Sequence, residues 1–181
     1  FISIPWLLSF KIRHLFLTVY YRSILKSKDG ISLVLIDLSG KVIGFCIGSK
    51  QSLGFHYRLI KNNLLQFFIA GLVVIVVNPG GIIRLIKNLN KKSSSVDNGL
   101  YSEVLSIAVD PEYKARGFGN SLLTNFERMA LGKGCSEISL TTDYYENKRI
   151  IDFYFRCGYT VMATFDAYPN RKMYRLKKKL N

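Results

Sequence analysis

The chain has 181 residues, of which 49% are hydrophobic, and its formal net charge is +14. This length is enough for one domain with a core of its own, and the hydrophobic content excludes an intrinsically disordered protein. The 3 cysteines are widely spaced, which excludes a disulfide framework and a cysteine-rich zinc site. They suit a reducing compartment, so a cytoplasmic location is expected.

The positive charge is spread along the chain, with one dense lysine run at 177–179. A basic protein can bind nucleic acid, an anionic membrane, or an anionic cofactor and substrate. Nucleic-acid binding is not expected, because the charge is not gathered in one segment and no recognition motif accompanies it. The two histidines, His14 and His56, are far apart in the sequence, and no metal site is expected.

The first 50 residues predict a helix followed by a hairpin. Apolar residues recur at helical intervals over residues 6–27. Two apolar runs, 31–38 and 42–48, then flank a short turn that contains Gly40. This pattern is typical of a β-hairpin.

Residues 51–98 are predicted to form a helical insertion. A helix over 55–77 ends in a nearly continuous apolar stretch, 64–77, and a basic amphipathic helix follows over 82–89. The apolar stretch is shorter than the roughly 20 residues that a membrane-spanning helix needs. It is predicted to pack internally on the sheet or to form a homodimer face. Peripheral membrane contact through about residues 55–90 is the alternative, because basic residues flank an apolar helix there.

A strand, a basic loop and a helix are predicted in the centre of the chain. The apolar run 104–109 suits a strand, Asp110 to Glu112 end it, and residues 117–131 form an amphipathic helix. The first N–H groups of a helix have no partner inside it, and the helix dipole makes that end positive. Two glycines there leave the backbone accessible, and two nearby cations add charge, so this loop suits a diphosphate; these residues are Lys114, Arg116, Gly117 and Gly119.

The C-terminal part predicts a strand at 137–142, a helix at 147–157 and a closing hairpin with strands at 160–165 and 172–176. Together with the central strand and helix, the first of these strands makes a βαβ unit with parallel strands.

Two stretches resemble motifs of the GNAT superfamily of N-acetyltransferases. Residues 111–119, PEYKARGFG, are similar to its acyl-CoA-binding signature, with Lys114 where the family usually has Gln or Arg. Residues 147–159, NKRIIDFYFRCGY, resemble its later motif, an Asn followed by Phe-Tyr and a closing Gly-Tyr. The resemblance extends over about residues 101–166. It implies an α/β (α+β) fold, with a mixed, mostly antiparallel sheet whose parallel central strands splay apart between flanking helices. One such domain is expected over 1–181.

The resemblance also implies how acetyl-CoA binds. Its diphosphate would lie on the loop and the first turn of the central helix, and its pantetheine arm along the preceding strand. The implied cofactor contacts are Ile107, Ala108, Val109, Lys114, Ala115, Arg116, Gly117, Phe118, Gly119, Asn120, Asn147 and Tyr154.

The implied reaction is direct attack of a primary amine on the thioester. Tyr154 matches the family's tyrosine acid, which protonates the leaving thiolate, and a phenol and a thiol have similar reference pKa values. A packing aromatic is the alternative interpretation of Tyr154. Glu103 is the candidate base, acting through a water, although a solvent-facing charge is equally consistent with its position. Asp143 and Glu146 are weaker candidates.

The amine acceptor is not indicated by any motif. A nucleotide-linked amino sugar would suit a basic pocket, while other small-molecule amines or a protein N-terminus stay open. The alternative function is a catalytically degenerate GNAT fold that serves as an acyl-CoA-binding sensor or interaction module. Lys114, and the lack of a Glu in 140–143 where many relatives carry one, support that alternative.

Overall fold

The computed structural model describes residues 4–77, 98–167 and 171–181, with side chains from residue 15 to 72 in the first range. The chain divides into two compact units, one formed by 1–27 with 56–98 and the other by 28–55 with 99–181. The prediction of a single domain with a helical insertion at 51–98 stays a prediction.

The first unit is helical where it is described. Its helices are α1 (Ile4–Lys26), α2 (Phe55–Asn62) and α3 (Leu64–Val77). A single helix over 55–77 was predicted, and this is wrong because the chain turns at Asn63. The Asn63 side chain donates to the Leu59 carbonyl oxygen at 2.9 Å, and its backbone carbonyl accepts from the Phe67 amide at 3.1 Å. Asparagine ends a helix readily because its side chain competes for backbone groups.

Helix α3 leaves much of its apolar surface exposed. Leu64, Leu65, Phe68 and Ile69 are each more than half exposed, whereas Ala70 is buried. The prediction of internal packing is therefore wrong for these four residues, and the homodimer face and the membrane contact stay predictions. Among the described residues, no helix combines the length and the apolar character that crossing a membrane requires. The basic helix predicted at 82–89 lies outside the described residues.

The second unit contains a six-stranded sheet in the order β1-β2-β3-β4-β6-β5. Strands β3 and β4 are parallel and the other neighbouring pairs are antiparallel. The predicted mixed, mostly antiparallel sheet is thus confirmed. The strands are β1 (Gly30–Ile36), β2 (Val42–Ser49), β3 (Ser102–Val109), β4 (Glu137–Asp143), β5 (Thr160–Ala167) and β6 (Arg171–Lys179).

Two α-helices accompany this sheet, α4 (Phe118–Gly132) after β3 and α5 (Lys148–Arg156) after β4. The apolar face predicted for α4 is confirmed for Leu122, Leu123, Phe126 and Ala130, which are buried. Met129, which the helical spacing places on the same face, is exposed. The four buried side chains join the main core with residues of the central strands, among them Val104, Ile138, Leu140 and Leu176.

The packing of α4 on the sheet depends on a glycine in β2. A Cβ atom added at Gly48 would lie 2.1 Å from the Glu103 carbonyl oxygen and 2.5 Å from Cζ of Phe126. Phe126 itself has no exposed surface. Only glycine therefore lets the Phe126 ring, β2 and β3 approach one another this closely.

Candidate active site

The sheet opens between β3 and β4. Their parallel pairing extends only over Ser102–Val104 opposite Ile138–Leu140. On its other side, β3 stays paired with β2 as far as Val109. In the described sheet, the half of β3 from Leu105 to Val109 therefore has backbone groups on the β4 side that β4 does not pair. Such an edge can pair with an extended amide chain. The predicted pantetheine contacts lie in this half of the strand: Ile107, Ala108 and Val109.

An irregularity in β3 lies where the two strands separate. Ser106 is opposite Ile47 and Val104 is opposite Gly48, so Leu105 has no partner in β2. An extra residue of this kind bends a strand and increases its twist. The bulge therefore bends β3 close to the point where its pairing with β4 ends.

The loop after β3 leads into the start of α4. Asp110 caps a short 3-10 helix, Pro111–Tyr113, and Gly117 precedes α4 in the left-handed region with φ +81°. The first bond inside α4 is donated by the Ser121 amide to the Gly117 carbonyl at 3.0 Å. The three amides before Ser121, those of Phe118, Gly119 and Asn120, have no acceptor within the helix. A Cβ atom at Gly117 would meet nothing within 4 Å, so the space over this end is open.

Two cations stand beside these amides. Lys114 and Arg116 are exposed, and neither forms an ion pair with a carboxylate among the described residues. The Arg116 guanidinium lies over the Tyr113 ring, 5.4 Å from its centroid. The nearest acidic residues in the sequence, Asp110 and Glu112, are instead paired with Lys41 at 3.3 and 3.6 Å. The loop therefore presents net positive charge next to the helix end, which suits an anion.

Tyr113 is bound to the β1–β2 turn. Its hydroxyl donates to Asp37 Oδ2 at 3.0 Å. Hydrogen bonds from the Ser39 hydroxyl, and further ones from Tyr113 and the backbone of Lys41 and Ser39, lower the pKa of Asp37 to about 2. The same bond to Asp37 raises the pKa of Tyr113. Over the neutral pH range Asp37 is therefore an anion and Tyr113 a donor.

Tyr154 lies in α5 and belongs to the main hydrophobic core. Its side chain is 7% exposed, and its ring contacts Phe153 and Tyr159 at centroid distances of 5.2 and 5.9 Å. Cys46, which pairs with Ile107, is close enough to act on its titration. Burial, chiefly, raises the pKa of Tyr154 to about 12. The phenol is thus protonated at neutral pH, but it is a weaker acid than an unperturbed tyrosine.

Helix α5 approaches the start of α4. A Cβ atom at Gly119 would be 3.7 Å from Cζ of Phe153, and the Cys157 thiol donates to Asn120 Oδ1 at 3.4 Å. The start of α4 is therefore adjacent to α5, the helix that carries Tyr154.

Asn147 lies at the start of α5, and its side chain forms hydrogen bonds with the preceding residues of the chain. Its side-chain amide donates to Thr142 Oγ1 at 2.6 Å and to the Asp143 carbonyl at 3.1 Å. Both amide hydrogens hold the turn between β4 and α5, which leaves the side-chain oxygen for any ligand.

Glu103 has two side-chain partners. Its Oε1 accepts from Arg175 Nη1 at 3.1 Å, and its Oε2 accepts from the Ser52 hydroxyl. The Glu103 and Arg175 side chains are only 12% and 18% exposed. Glu103 is therefore not the solvent-facing charge that one interpretation of the sequence allowed. Asp143, a weaker candidate base, is held by Arg171 at 2.6 Å.

The model of the family described as "Acetyltransferase (GNAT) family" matches residues 4–159. The chain belongs to the GNAT family of acetyltransferases. Solved structures agree in fold. The ribosomal-protein-S18-alanine N-acetyltransferase of Escherichia coli aligns with a TM-score of 0.55 and 14% identity, over 89% of this chain and 75% of that one. Nourseothricin acetyltransferase aligns with a TM-score of 0.52 and 16% identity, over 85% of this chain and 67% of that one.

A third structure, of a Bacillus anthracis protein assigned as a streptothricin acetyltransferase, holds acetyl coenzyme A. It aligns with a TM-score of 0.56 and 15% identity, over 89% of this chain and 68% of that one. No curated protein matches this GNAT chain significantly in sequence. At these identities the solved structures establish the fold alone.

Several contacts made by the candidate site residues could not be predicted from the sequence. Glu103 contacts Arg175 and Ser52, which are 72 and 51 residues away in the sequence. Tyr113 contacts Asp37, which is 76 residues away, so no local pattern connects these pairs. Tyr113 lies inside residues 111–119, which resemble the acyl-CoA-binding signature, and an aromatic residue between two charged ones was the single available hint. In the described part of the chain, no three His, Cys, Asp or Glu side chains are grouped to hold a metal.

Proposed function

We propose that this GNAT acetyltransferase transfers the acetyl group of acetyl-CoA to a primary amine. The observation that carries the proposal is the exposed start of α4, with three amides lacking intrahelical acceptors beside Lys114 and Arg116. In this proposal the diphosphate binds the amides around Arg116 to Asn120. The pantetheine arm pairs with the backbone of Ile107 and Val109.

The proposed chemistry is a direct displacement. The amine nitrogen attacks the thioester carbonyl carbon, the C–S bond breaks, and an amide and the thiolate of coenzyme A result. The Val109 amide would stabilise the developing oxyanion by a hydrogen bond. Tyr154 would donate its proton, or a strong hydrogen bond, to the leaving sulfur, and the amine proton would pass to a base or to solvent.

Glu103 is the proposed base, acting through a water. Arg175 and Ser52 each bind one of its carboxylate oxygens, and each oxygen has a further lone pair that can accept from a water. These two contacts would hold the carboxylate in one orientation on the part of β3 that is paired with β4.

Glu103→Gln is expected to lower kcat/KM for the amine roughly a hundredfold at pH 7, at the low end for a general base because a water relays the proton. The loss should shrink as the pH rises, since more of the amine then arrives neutral and needs no base. The measurement is kcat/KM against pH with the most reactive amine of a panel. Glu137→Gln is the control, because Glu137 pairs with Lys177 at 2.8 Å on a neighbouring strand. An unchanged rate at pH 7 would contradict the role of Glu103.

Removing both cations of the loop, Lys114→Ala with Arg116→Ala, is expected to weaken coenzyme A binding by roughly tenfold or slightly more, because charge-assisted hydrogen bonds to phosphate are lost. Titration calorimetry at low and high salt measures this, and the difference from the wild type should narrow with salt. The control is Lys148→Ala with Arg149→Ala, which removes two exposed cations of α5. Equal losses in both variants would show that only net charge matters.

Release of free thiol from acetyl-CoA with a panel of amines tests the proposed function as a whole. Amino sugars linked to nucleotides belong in that panel, because the chain's net charge of +14 favours an anionic carrier. Mass spectrometry of a metabolite extract treated with the protein then identifies the acceptor. Binding of coenzyme A without thiol release on any amine would instead support a non-catalytic acyl-CoA-binding module.

A further inference from the structure

The β1–β2 turn, residues 37–41, is organised around one carboxylate. Asp37 Oδ1 accepts from the Ser39 amide at 2.8 Å, the Ser39 hydroxyl at 2.6 Å and the Lys41 amide at 3.0 Å. The backbone closes the same turn, with the Asp37 amide donating to the Lys41 carbonyl at 2.9 Å. These bonds hold the carboxylate in place and leave Oδ2 to accept from Tyr113. The turn is thus a rigid acceptor directed at the loop after β3.

The Tyr113 ring is in turn the centre of a cluster on that loop. Arg116 lies 5.4 Å from the ring centroid, Lys41 lies 5.5 Å from it, and the Phe118 ring centroid is 6.3 Å away. Tyr113 and Phe118 stand on either side of the four residues 114–117. Their contact therefore closes this segment at both ends, and the Asp37 bond attaches the closed segment to the sheet.

The enclosed segment has a backbone that needs such support. Ala115 has φ +62° and Gly117 has φ +81°, both in the left-handed region. For a non-glycine residue this conformation is disfavoured, because the Cβ atom comes too close to the following carbonyl oxygen. All four residues of the segment are exposed, so burial contributes little to holding them. Contacts made by their neighbours must therefore hold the segment.

We infer that Asp37 and Tyr113 are positioning residues for the acyl donor, which orient Arg116 and the start of α4 before the diphosphate binds. This inference rests on the proposed function of the same loop. Without the bond between them, the loop would sample other conformations, and part of the binding free energy would be spent on ordering it. The bond between Asp37 and Tyr113 affects only the binding of the phosphate end of coenzyme A. Tyr113 precedes the proposed diphosphate-binding segment and follows the proposed pantetheine-binding strand.

The test compares Tyr113→Phe with Tyr145→Phe, which makes the same substitution at a tyrosine that is 65% exposed and lies between β4 and α5. Calorimetry is done with coenzyme A and with S-acetylpantetheine, which lacks the diphosphate. Tyr113→Phe is expected to weaken coenzyme A binding roughly fivefold, the size of one hydrogen bond. Its S-acetylpantetheine affinity should equal that of the wild type, and Tyr145→Phe should change neither. In turnover, KM for acetyl-CoA should rise with kcat unchanged.

Two further variants, Arg116→Ala and Asp37→Ala, test whether Tyr113 positions Arg116 or has only a general effect on the order of the loop. If Tyr113 acts through Arg116, then Tyr113→Phe should add little further loss of coenzyme A affinity to Arg116→Ala. Asp37→Ala should give the same pattern from the other side of the bond, weakening coenzyme A but not S-acetylpantetheine.

Two results would overturn the inference. One is coenzyme A affinity within twofold of the wild type in both Tyr113→Phe and Asp37→Ala. The other is an equal loss of both ligands, which would mean that the bond merely supports the fold. Failure of the proposed function has a different result, since the wild type itself would then bind no coenzyme A, or would bind it and release no thiol with any amine.

Discussion

Tyr154→Phe is expected to lower kcat for acetyl transfer roughly a hundredfold, the lower range for loss of a general acid. The substitution removes the hydroxyl and keeps the ring, so the contacts with Phe153 and Tyr159 should survive. Because the hydroxyl is proposed to act on the leaving sulfur in the transition state, KM for acetyl-CoA should change little. The effect should also be larger for acetyl-CoA than for an acyl donor with a more acidic thiol, which leaves without help.

Tyr159→Phe is the matched control for this variant. Tyr159 is also buried in the core, but its hydroxyl donates to Glu127 Oε1 of α4 at 3.0 Å and has no proposed role in the reaction. Its loss should reduce stability and leave kcat nearly unchanged. A kcat for Tyr154→Phe within threefold of the wild type would refute the acid role and favour the interpretation of Tyr154 as a packing aromatic.

The pH dependence of Tyr154 has a defined sign. Its pKa is raised by burial from 10.0 to about 12, so the phenol keeps its proton across the whole assay range. No alkaline loss of activity from this group is expected below about pH 11. The effect of pH on stability has the opposite sign to that of a carboxyl group with a lowered pKa. Between pH 10 and 12 the unfolded state releases a proton that the folded state retains. Stability should therefore fall with rising pH over that window.

Gly48→Ala is expected to destabilise the fold by about 3 kcal/mol or more, because overpacking a buried site forces the neighbours apart. The added methyl would meet the Glu103 carbonyl at 2.1 Å and the Phe126 ring at 2.5 Å. The ring could give way only by leaving a core where it has no exposed surface. The carbonyl could move only by separating β2 from β3, next to the bulge at Leu105. Urea unfolding followed by circular dichroism measures the change.

Gly132→Ala is the control for this substitution, since a Cβ atom there meets nothing within 4 Å. At the end of α4 alanine favours the helix, so this variant should be neutral or slightly more stable than the wild type. If the free energy of unfolding of Gly48→Ala lay within about 0.5 kcal/mol of the wild-type value, the close packing described for β2, β3 and Phe126 would be wrong.

The strands and helices of the second unit were predictable because each follows from a local pattern. The apolar runs of the strands and the apolar face of α4 need no information from distant residues. The same is true of the loop after β3, where glycines and cations are adjacent in the sequence. The family followed from two motifs, residues 111–119 and 147–159. The break at Asn63 was not predictable with equal ease, because asparagine is tolerated within helices and its competing side-chain bond is seen only in the structure.

Local periodicity and short motifs were enough to predict the fold family, the strands and helices of the second unit and the positively charged start of α4. The folded structure alone shows where the parallel pairing of β3 stops, which partners hold Glu103, and how Asp37 reaches Tyr113. It also decided that burial makes Tyr154 a weaker acid than its reference pKa suggests. The physical reason is common to all of these: a hydrogen bond, an ion pair or a desolvated phenol depends on residues that are distant in sequence and adjacent only after folding.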